Sequence, residues 1–339
     1  MIRKAVYLLF TLFFLLNCGE KSSQKLKNEK IVPQANVEQE KEKLNIEVIR
    51  VDKEIFTQKT RKGIASIFDK YPDFSEKFLK RSQYPHDSIL VNAFYQLATN
   101  KSIDSIYQIS NEFYGDFYDL GLEFQHAFEE IKKIDPKFKT PKIYTIITGM
   151  GNDMFVNDSM IVIGLEFYLA EKCKYKPQLP IYMLKRYRKE YIVPMVMAVI
   201  SGKYNESDFL DNSLIAEMVY FGKSYYFTEK VLPNVSDTLI AGYESEVLDD
   251  VKKNQKIIWG HFIEKKLLFE TKNEITNRYI GERPTTFEIG NNCPGRIGRW
   301  LGWQIVKMYA QNNADMGLLT IMKEKDAKKI LTKSKYKAK

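Results

Sequence analysis

The chain has only three histidines, His86, His126 and His261, and no two of them stand four residues apart. A zinc-peptidase helix of the HExxH kind needs that spacing. Positions i and i+4 put two imidazoles on one face, and the Glu beside them activates a metal-bound water. The pattern is absent, as are a GxSxG elbow, a GxxxxGK phosphate loop and an EF-hand loop. His126, set between Phe124 and Phe128, reads as a packed or half-exposed helix residue rather than a ligand. The acidic stretch "NESDFLDN" (205–212) lacks the central Gly of a calcium loop and reads as a loop and helix cap. No CxxC pair suggests a zinc knuckle, and no motif asks for a cofactor.

Three charged stretches are left as candidates. "YESEVLDD" (243–250) holds paired acids of the kind a hydrolase uses, although a helix start also gathers acids through its dipole. "CPGRIGRWLGWQIVKMY" (293–309) places Arg296 and Arg299 near a helix N-terminus, a candidate anion site. There Gly295, Gly298 and Gly302 allow close backbone approach; the alternative is a purely structural start to a buried helix carrying Trp300 and Trp303. In "YMLKRYRKEYIVPMVMAVI" (182–200) five charged residues precede an apolar half.

The elements that must position these groups follow from periodicity. "IEVIRVD" (46–52) predicts a strand. Residues 59–133 predict helices, with Ile64, Ile67, Phe68, Phe74, Phe78, Leu120, Phe124, Phe128 and Ile131 at three-to-four spacing and Pro72 and Pro85 at helix starts or breaks. Residues 142–148 predict a strand, and 154–164 a hairpin turning at Asn157-Asp158. Helical patterns then cover 184–200, 213–226, 245–269, 298–311 and 316–333. The class is α+β, predominantly α-helical with one small sheet, and 46–339 is expected to be a single domain with a basic C-terminal tail.

The N-terminus sets the compartment. Arg3 and Lys4 precede an apolar run, 5–16, of 12 residues. That is shorter than the roughly 20 residues a membrane-spanning helix needs, so residues 1–17 read as a signal peptide. The run closes in "LLNC", a lipobox-like ending that makes Cys18 the lipid-attachment residue; the alternative is an ordinary signal peptide. Residues 18–45, rich in Lys, Glu, Gln, Ser and Asn, predict a disordered tether with a root-mean-square span of roughly 30 Å. Gly19, with no Asp there, fits transfer to the outer membrane, and the inner membrane is the alternative.

Loss of Arg3 and Lys4 lowers the formal charge from +9 to +7, and residues 323–339, eight Lys against Glu324 and Asp326, hold +6 of it. Nucleic acid is excluded as a partner, since an exported lipoprotein does not meet it. The basic tail is either a solvated helix end or a contact for anionic head groups or an acidic partner. Cys173 and Cys293 are permitted to pair in an oxidising compartment, and nothing in their spacing requires it.

"IEVIRVDKEIF", "TGMGNDMFVNDSMIVIGLEFYLA", "YMLKRYRKEYIVPMVMAVI", "IIWGHFIEKKLLF" and "CPGRIGRWLGWQIVKMY", in this order behind the lipobox, resemble the gliding motility lipoprotein family GldB over essentially the whole mature chain. The resemblance implies a cell-envelope, periplasm-facing lipoprotein required for surface gliding, with other gliding and secretion proteins as partners. More distantly, the order of strand, hairpin and two helices is similar to gluzincin-type zinc peptidases, in which the hairpin flanks a cleft. At the HExxH position this chain reads "KRYRKEYIV", and Phe221-Gly222 stands where the third ligand's Glu-Gly would be. That comparison implies a pseudo-peptidase without zinc, not an enzyme. Arg186, Arg188, Lys189, Glu190 and Phe221 then line a former substrate groove, while Leu184, Tyr187, Tyr191 and Met195 form a stripe into the core and Pro194 kinks or restarts the helix. The alternative is that these charges face solvent. A rival function is an active envelope hydrolase with a non-standard catalytic set, and a third is a chaperone-like lipoprotein.

Overall fold

The computed structural model describes residues 46–338; the expected signal peptide (1–17), Cys18 and the tether (18–45) lie outside the described residues. Four strands, β1 (Val48–Arg50), β2 (Lys142–Ile146), β3 (Met154–Val156) and β4 (Met160–Gly164), pair in the order β1-β2-β4-β3. β1, β2 and β4 run parallel, with Val48 opposite Ile143 and Ile143 opposite Ile161; β3 returns antiparallel, Phe155 facing Val162. β2 and β4 are buried on both faces, which explains their unbroken apolar runs. The hairpin turns where Asn157 and Asp158 stand: the Asn157 carboxamide oxygen accepts from the Ser159 and Met160 amides at 2.9 Å each.

The expected first strand is cut short. It stops at Arg50, and α1 (Val51–Thr57) begins at once. Asp52 accounts for this. It is fully buried, takes Arg50 Nε and Nη2 at 2.9 and 2.6 Å, and accepts from the Thr145 hydroxyl of β2 at 2.5 Å. An acid in a first helical turn also faces the favourable end of the helix dipole.

The long helical stretch resolves into α2 (Arg61–Lys70), α3 (Pro72–Lys77), α4 (Asp87–Thr99), α5 (Lys101–Tyr114) and α6 (Tyr118–Ile134). Thr60 and Asn100 cap α2 and α5 with side-chain oxygens. After the sheet come α7 (Ile181–Leu184), α8 (Ile192–Ser201), α9 (Leu214–Val231), α10 (Asp237–Ala241), α11 (Ser245–Lys253) and α12 (Gln255–Glu264). α13 (Asn273–Ile280), α14 (Ile297–Asn312), α15 (Leu318–Lys323) and α16 (Ala327–Ser334) complete the chain. No described helix is long and apolar enough to cross a membrane.

Three expected helices are broken. Residues 184–200 are the end of α7, a turn and α8. Residues 245–269 divide at Asn254, whose side chain donates to the Asp250 carbonyl at 2.8 Å and competes with the backbone ladder, and again before a short 3-10 turn, Leu267–Phe269. Residues 316–333 are α15 and α16, with Asp326 capping the second through the Lys329 amide. The basic tail is part of the fold: Ala327, Ile330, Ser334 and Tyr336 are buried, and α16 packs on α14 and α9 with its lysines outward.

Two apolar clusters form the core. One joins the sheet to α1–α6 and α8, and the other gathers around α14. α9 belongs to both: Phe227 and Val231 enter the first, and Leu214, Ile215, Met218 and Val219 the second. A helix buried on most sides reads apolar nearly all round. It meets α14 by backbone contact. A Cβ on Gly222 would overlap the Gly302 carbonyl group, and one on Gly302 would overlap that of Met218. Beside Gly222, Lys223 is buried and its ammonium donates to the Glu206, Met322 and Glu324 carbonyls at 2.5, 3.1 and 2.9 Å. Burial pushes its pKa down to about 8.

Gly302→Ala is expected to cost about 3 kcal/mol or more, the upper end of overpacking. Gly260→Ala, within α12 where a Cβ meets open space, should be neutral or gain up to about 1 kcal/mol; urea denaturation of both variants checks the pair. Lys223→Met leaves three carbonyls without their donor and should cost about 3 kcal/mol or more. Its folded pKa lies below the unfolded value of about 10.4, so between the two the unfolded chain holds more protons and wild-type stability rises with pH. The stability gap between wild type and Lys223→Met therefore widens from pH ~8 to ~10, read by melting at each pH.

Candidate functional site

Past the carboxyl ends of β2 and β4 the chain forms a cleft of about 440 Å³, whose lining includes Glu166, Phe167, Leu184, Tyr187, Arg188 and Glu244. The ends of parallel strands are a recurrent place for ligand sites in open sheets. Here the cleft opens after the hairpin, not along it. The segment that follows β4, a 3-10 turn Leu165–Tyr168, carries Glu166 into the interior. Its Oε1 accepts from the Thr148 amide and hydroxyl, both at 2.7 Å, and from the Met150 amide at 3.1 Å. The clamp holds two successive left-handed residues, Gly149 and Met150, in the loop after β2. Oε2 is buried and has no hydrogen-bond partner. Burial pushes the carboxyl pKa up, against the lowering effect of the Thr148 and Met150 bonds.

The charged stretch closes the other side of the cleft. Residues 185–188 do not continue the helix: Arg188 is extended and forms an isolated antiparallel bridge with Leu169, just after the Glu166 turn. Tyr187 lies against Tyr168 and Phe167, with ring centroids 5.4 and 6.0 Å away, and its hydroxyl donates to Asp153 at 2.7 Å. The expected stripe of Leu184, Tyr187, Tyr191 and Met195 is therefore not one helix face. Of the four only Tyr191 is fully buried, and Pro194 stands in the first turn of α8, where a missing N–H breaks no helical bond. The restart, not the kink, is what the chain adopts.

The charges of this stretch are turned toward other elements. Arg186 makes a two-pronged pair with Glu282, at 3.2 and 2.7 Å. Arg188 reaches Glu244 at 3.3 Å and lies over the Tyr191 ring at 5.3 Å, with Glu190 at 3.5 Å from its Nε. Lys189 faces Asp119 of α6 at 3.4 Å, and Glu190 is exposed. Of the five expected groove residues, Arg188 is the one that lines the cleft. Phe221 lies instead under the Arg299 guanidinium, 4.2 Å from its ring.

Arg296 and Arg299 have an anion within the fold. Glu282 lies 3.5 Å from Arg296 Nε and 3.5 Å from Arg299 Nη1, so three guanidiniums converge on one carboxylate. Arg296, buried and left-handed just before α14, also donates to the Ala241 and Gly242 carbonyls and the Tyr225 hydroxyl, at 3.1, 3.0 and 3.3 Å. Arg299 adds a bond to the Ile280 carbonyl at 2.7 Å. The groove and the anion site, separate in the sequence, thus share Glu282. Burial raises its pKa, but Arg296, Arg186 and Arg299 outweigh that and hold it below the usual carboxylate range.

Glu282 and Glu166 both escaped the sequence reading. Glu166 left one signal, a charge inside the apolar run "IVIGLEFYL". Glu282 left none, because its partners stand 96, 14 and 17 residues away. The histidines stay apart: His86 and His126 are exposed, while His261 Nε2 meets the Tyr279 hydroxyl at 2.9 Å. Among the described residues no three His, Cys, Asp or Glu side chains converge as a metal set. Cys173 and Cys293 are free, buried thiols in different clusters.

Glu282→Gln removes the shared carboxylate and leaves three guanidiniums facing one another, a loss expected to cost about 3–5 kcal/mol. A depressed folded pKa contributes stability that is complete above the ordinary carboxylate range and is lost as pH falls below it. Wild type should therefore lose more stability than Glu282→Gln on going from pH ~6 to ~3, measured by thermal melting across that range.

Comparison with known proteins gives one match of wide extent. The profile described as gliding motility protein GldB, a lipoprotein family, matches residues 33–338. No curated protein and no solved structure matches the chain. With nearly the full length matched, the chain belongs to the gliding motility lipoprotein family GldB.

Proposed function

We propose that this gliding motility lipoprotein is a non-catalytic binding component of the gliding and secretion apparatus. It is held to a membrane through lipid on Cys18, faces the periplasm, and takes a short peptide stretch of an envelope partner in the cleft. One observation carries this reading. One wall of the cleft is set by a fixed internal pair, Arg188 with Glu244, while Glu166 Oε2 and Arg188 Nε are buried there without a hydrogen-bond partner. Groups locked in ion pairs set the shape of a cleft and do not exchange protons readily. Walls of Phe167, Leu184 and Tyr187 around a few polar groups suit recognition of an apolar side chain with one backbone hydrogen bond. The distant likeness to zinc peptidases fits a peptide-shaped groove that no longer cuts.

A second reading has an observation of its own. A carboxyl held toward its neutral form beside a cleft is the group an envelope hydrolase uses as general acid. Two variants in a gliding strain separate the readings. Leu184→Trp fills the cleft and is expected to abolish gliding while the chain accumulates normally; gliding at the wild-type rate would refute the cleft as a binding site. Glu166→Gln keeps a neutral side chain of the same shape and should leave gliding intact. Loss of gliding in Glu166→Gln at normal protein level would move the assignment to a hydrolase.

A further inference from the structure

Two buried polar atoms border the cleft without a hydrogen-bond partner, Glu166 Oε2 and Arg188 Nε. Buried polar groups are ordinarily paired, so two orphans around one cavity mark a place for a ligand. Each is fixed there through the other atoms of its side chain. Glu166 is 1% exposed, and its Oε1 already accepts from the Thr148 amide and hydroxyl and from the Met150 amide. Arg188 commits Nη2 to Glu244 at 3.3 Å. Its Nε stands 3.5 Å from Glu190 Oε1, beyond the ~2.7–3.2 Å of a directed N–H···O bond.

What these two atoms can offer decides the ligand. With three donors on Oε1, the oxygen left to carry a proton is Oε2, and burial favours the protonated form. A protonated Oε2 donates, and a guanidinium Nε can only donate. Two donors in one cleft ask for an acceptor. The charges that border it say which kind: Lys176, Lys185 and Arg188 stand against Glu166 and Glu244. Glu244 is answered by Arg188, and Lys176 donates to the Ala170 carbonyl at 3.0 Å. Lys185 is exposed and has no acidic partner among the described residues. The balance is positive, which suits an anionic acceptor better than a neutral carbonyl.

We propose that the cleft grips its peptide by a carboxylate, either a free C-terminus or an Asp or Glu side chain. Glu166 Oε2 and Arg188 Nε donate to it, and Lys185 neutralises it at the mouth. The proposal rests on the cleft as the binding site and adds the chemistry of what enters. Hydrogen bonds from a carboxyl or a guanidinium to a carboxylate are charge-assisted and about twice as strong as neutral ones. Phe167, Leu184 and Tyr187 supply an apolar wall for the neighbouring side chain.

The test titrates the full chain, purified in detergent, with four short peptides carrying a neutral dye at the N-terminus, and reads fluorescence anisotropy. One pair is Gly-Ala-Leu as the free acid and as its amide. The other is Gly-Leu-Asp-Gly amide and the same peptide with Asn for Asp. In at least one pair the carboxylate member is expected to bind about tenfold tighter or more, and the pair that shows it names the source. Lys185→Gln should cut that preference about threefold. Glu166→Gln, with an N–H in place of the stronger O–H donor, should cut it by about as much. Leu184→Trp should abolish all binding. Equal binding within both pairs, abolished by Leu184→Trp, overturns the carboxylate and leaves the cleft standing as a site. Binding that survives Leu184→Trp overturns both. A tenfold gain in Glu166→Gln overturns the proposal, because it shows a native Oε2 that was ionised and repelled the ligand. Absence of binding by all four peptides overturns it too, and gliding by Leu184→Trp still judges the cleft.

Discussion

The contact on which the rest of the structure depends is the crossing of α9 and α14 at Gly222 and Gly302, where two backbones touch with no side chain between them. α9 contributes apolar side chains to both clusters of the core, so its position decides how the sheet half and the α14 half are joined. Any separation at the crossing would open both at once, since close-packed interiors have little slack to absorb a shift. Lys223, one residue along, adds a polar tie of the same kind. Three carbonyls from two distant segments, at Glu206 and at Met322 and Glu324, are gathered on one ammonium. That brings α15 and the loop after α8 to the same helix without a sheet or a disulfide.

Glu282 does for the site what Gly302 does for the core. It binds the segment after α7, through Arg186, to the start of α14, through Arg296 and Arg299. One carboxylate does not neutralise three guanidiniums, and the surplus is spread over carbonyls at Ala241, Gly242 and Ile280. Gly242 takes part sterically as well: it is left-handed, and a Cβ there would press on the Arg186 side chain at 2.7 Å. The two-pronged Arg186–Glu282 pair and the carbonyls taken by Arg296 and Arg299 fix the three side chains in place.

Local features were legible and long-range ones were not. The Asn157 turn and the loop before α9 depend on residues near one another and stand as the sequence suggested; the close approach at Gly295, Gly298 and Gly302 also stands, while its partner at Gly302, Met218 of α9, was not legible. The stretch 184–200 misled, because five charges followed by an apolar run mimic an exposed first turn and a buried remainder of one helix. What breaks it is a set of partners at Leu169, Asp153, Glu244 and Glu282, none visible from spacing. The same blindness made Arg296 and Arg299 look like a site awaiting an anion, when the anion was already in the chain. The lysine-rich end looked like a tail since charges dominate its composition, while Ala327, Ile330 and Ser334 at helical spacing carry it into the core.

In the binding role proposed above, the cleft holds its ligand rather than turning it over. Catalytic groups need freedom to gain and lose protons, and Arg188 and Glu244 at the rim have been given each other as partners. Glu166 is the exception in burial but not in role: one oxygen fixes the loop after β2 in a conformation that two left-handed residues would not keep unaided. The structural use of Oε1 accounts for a buried acid that would otherwise be costly. Of this carboxylate only Oε2 is left over, and in the binding role proposed above it is the fixed polar atom beside aromatic walls that sets the register of a bound peptide.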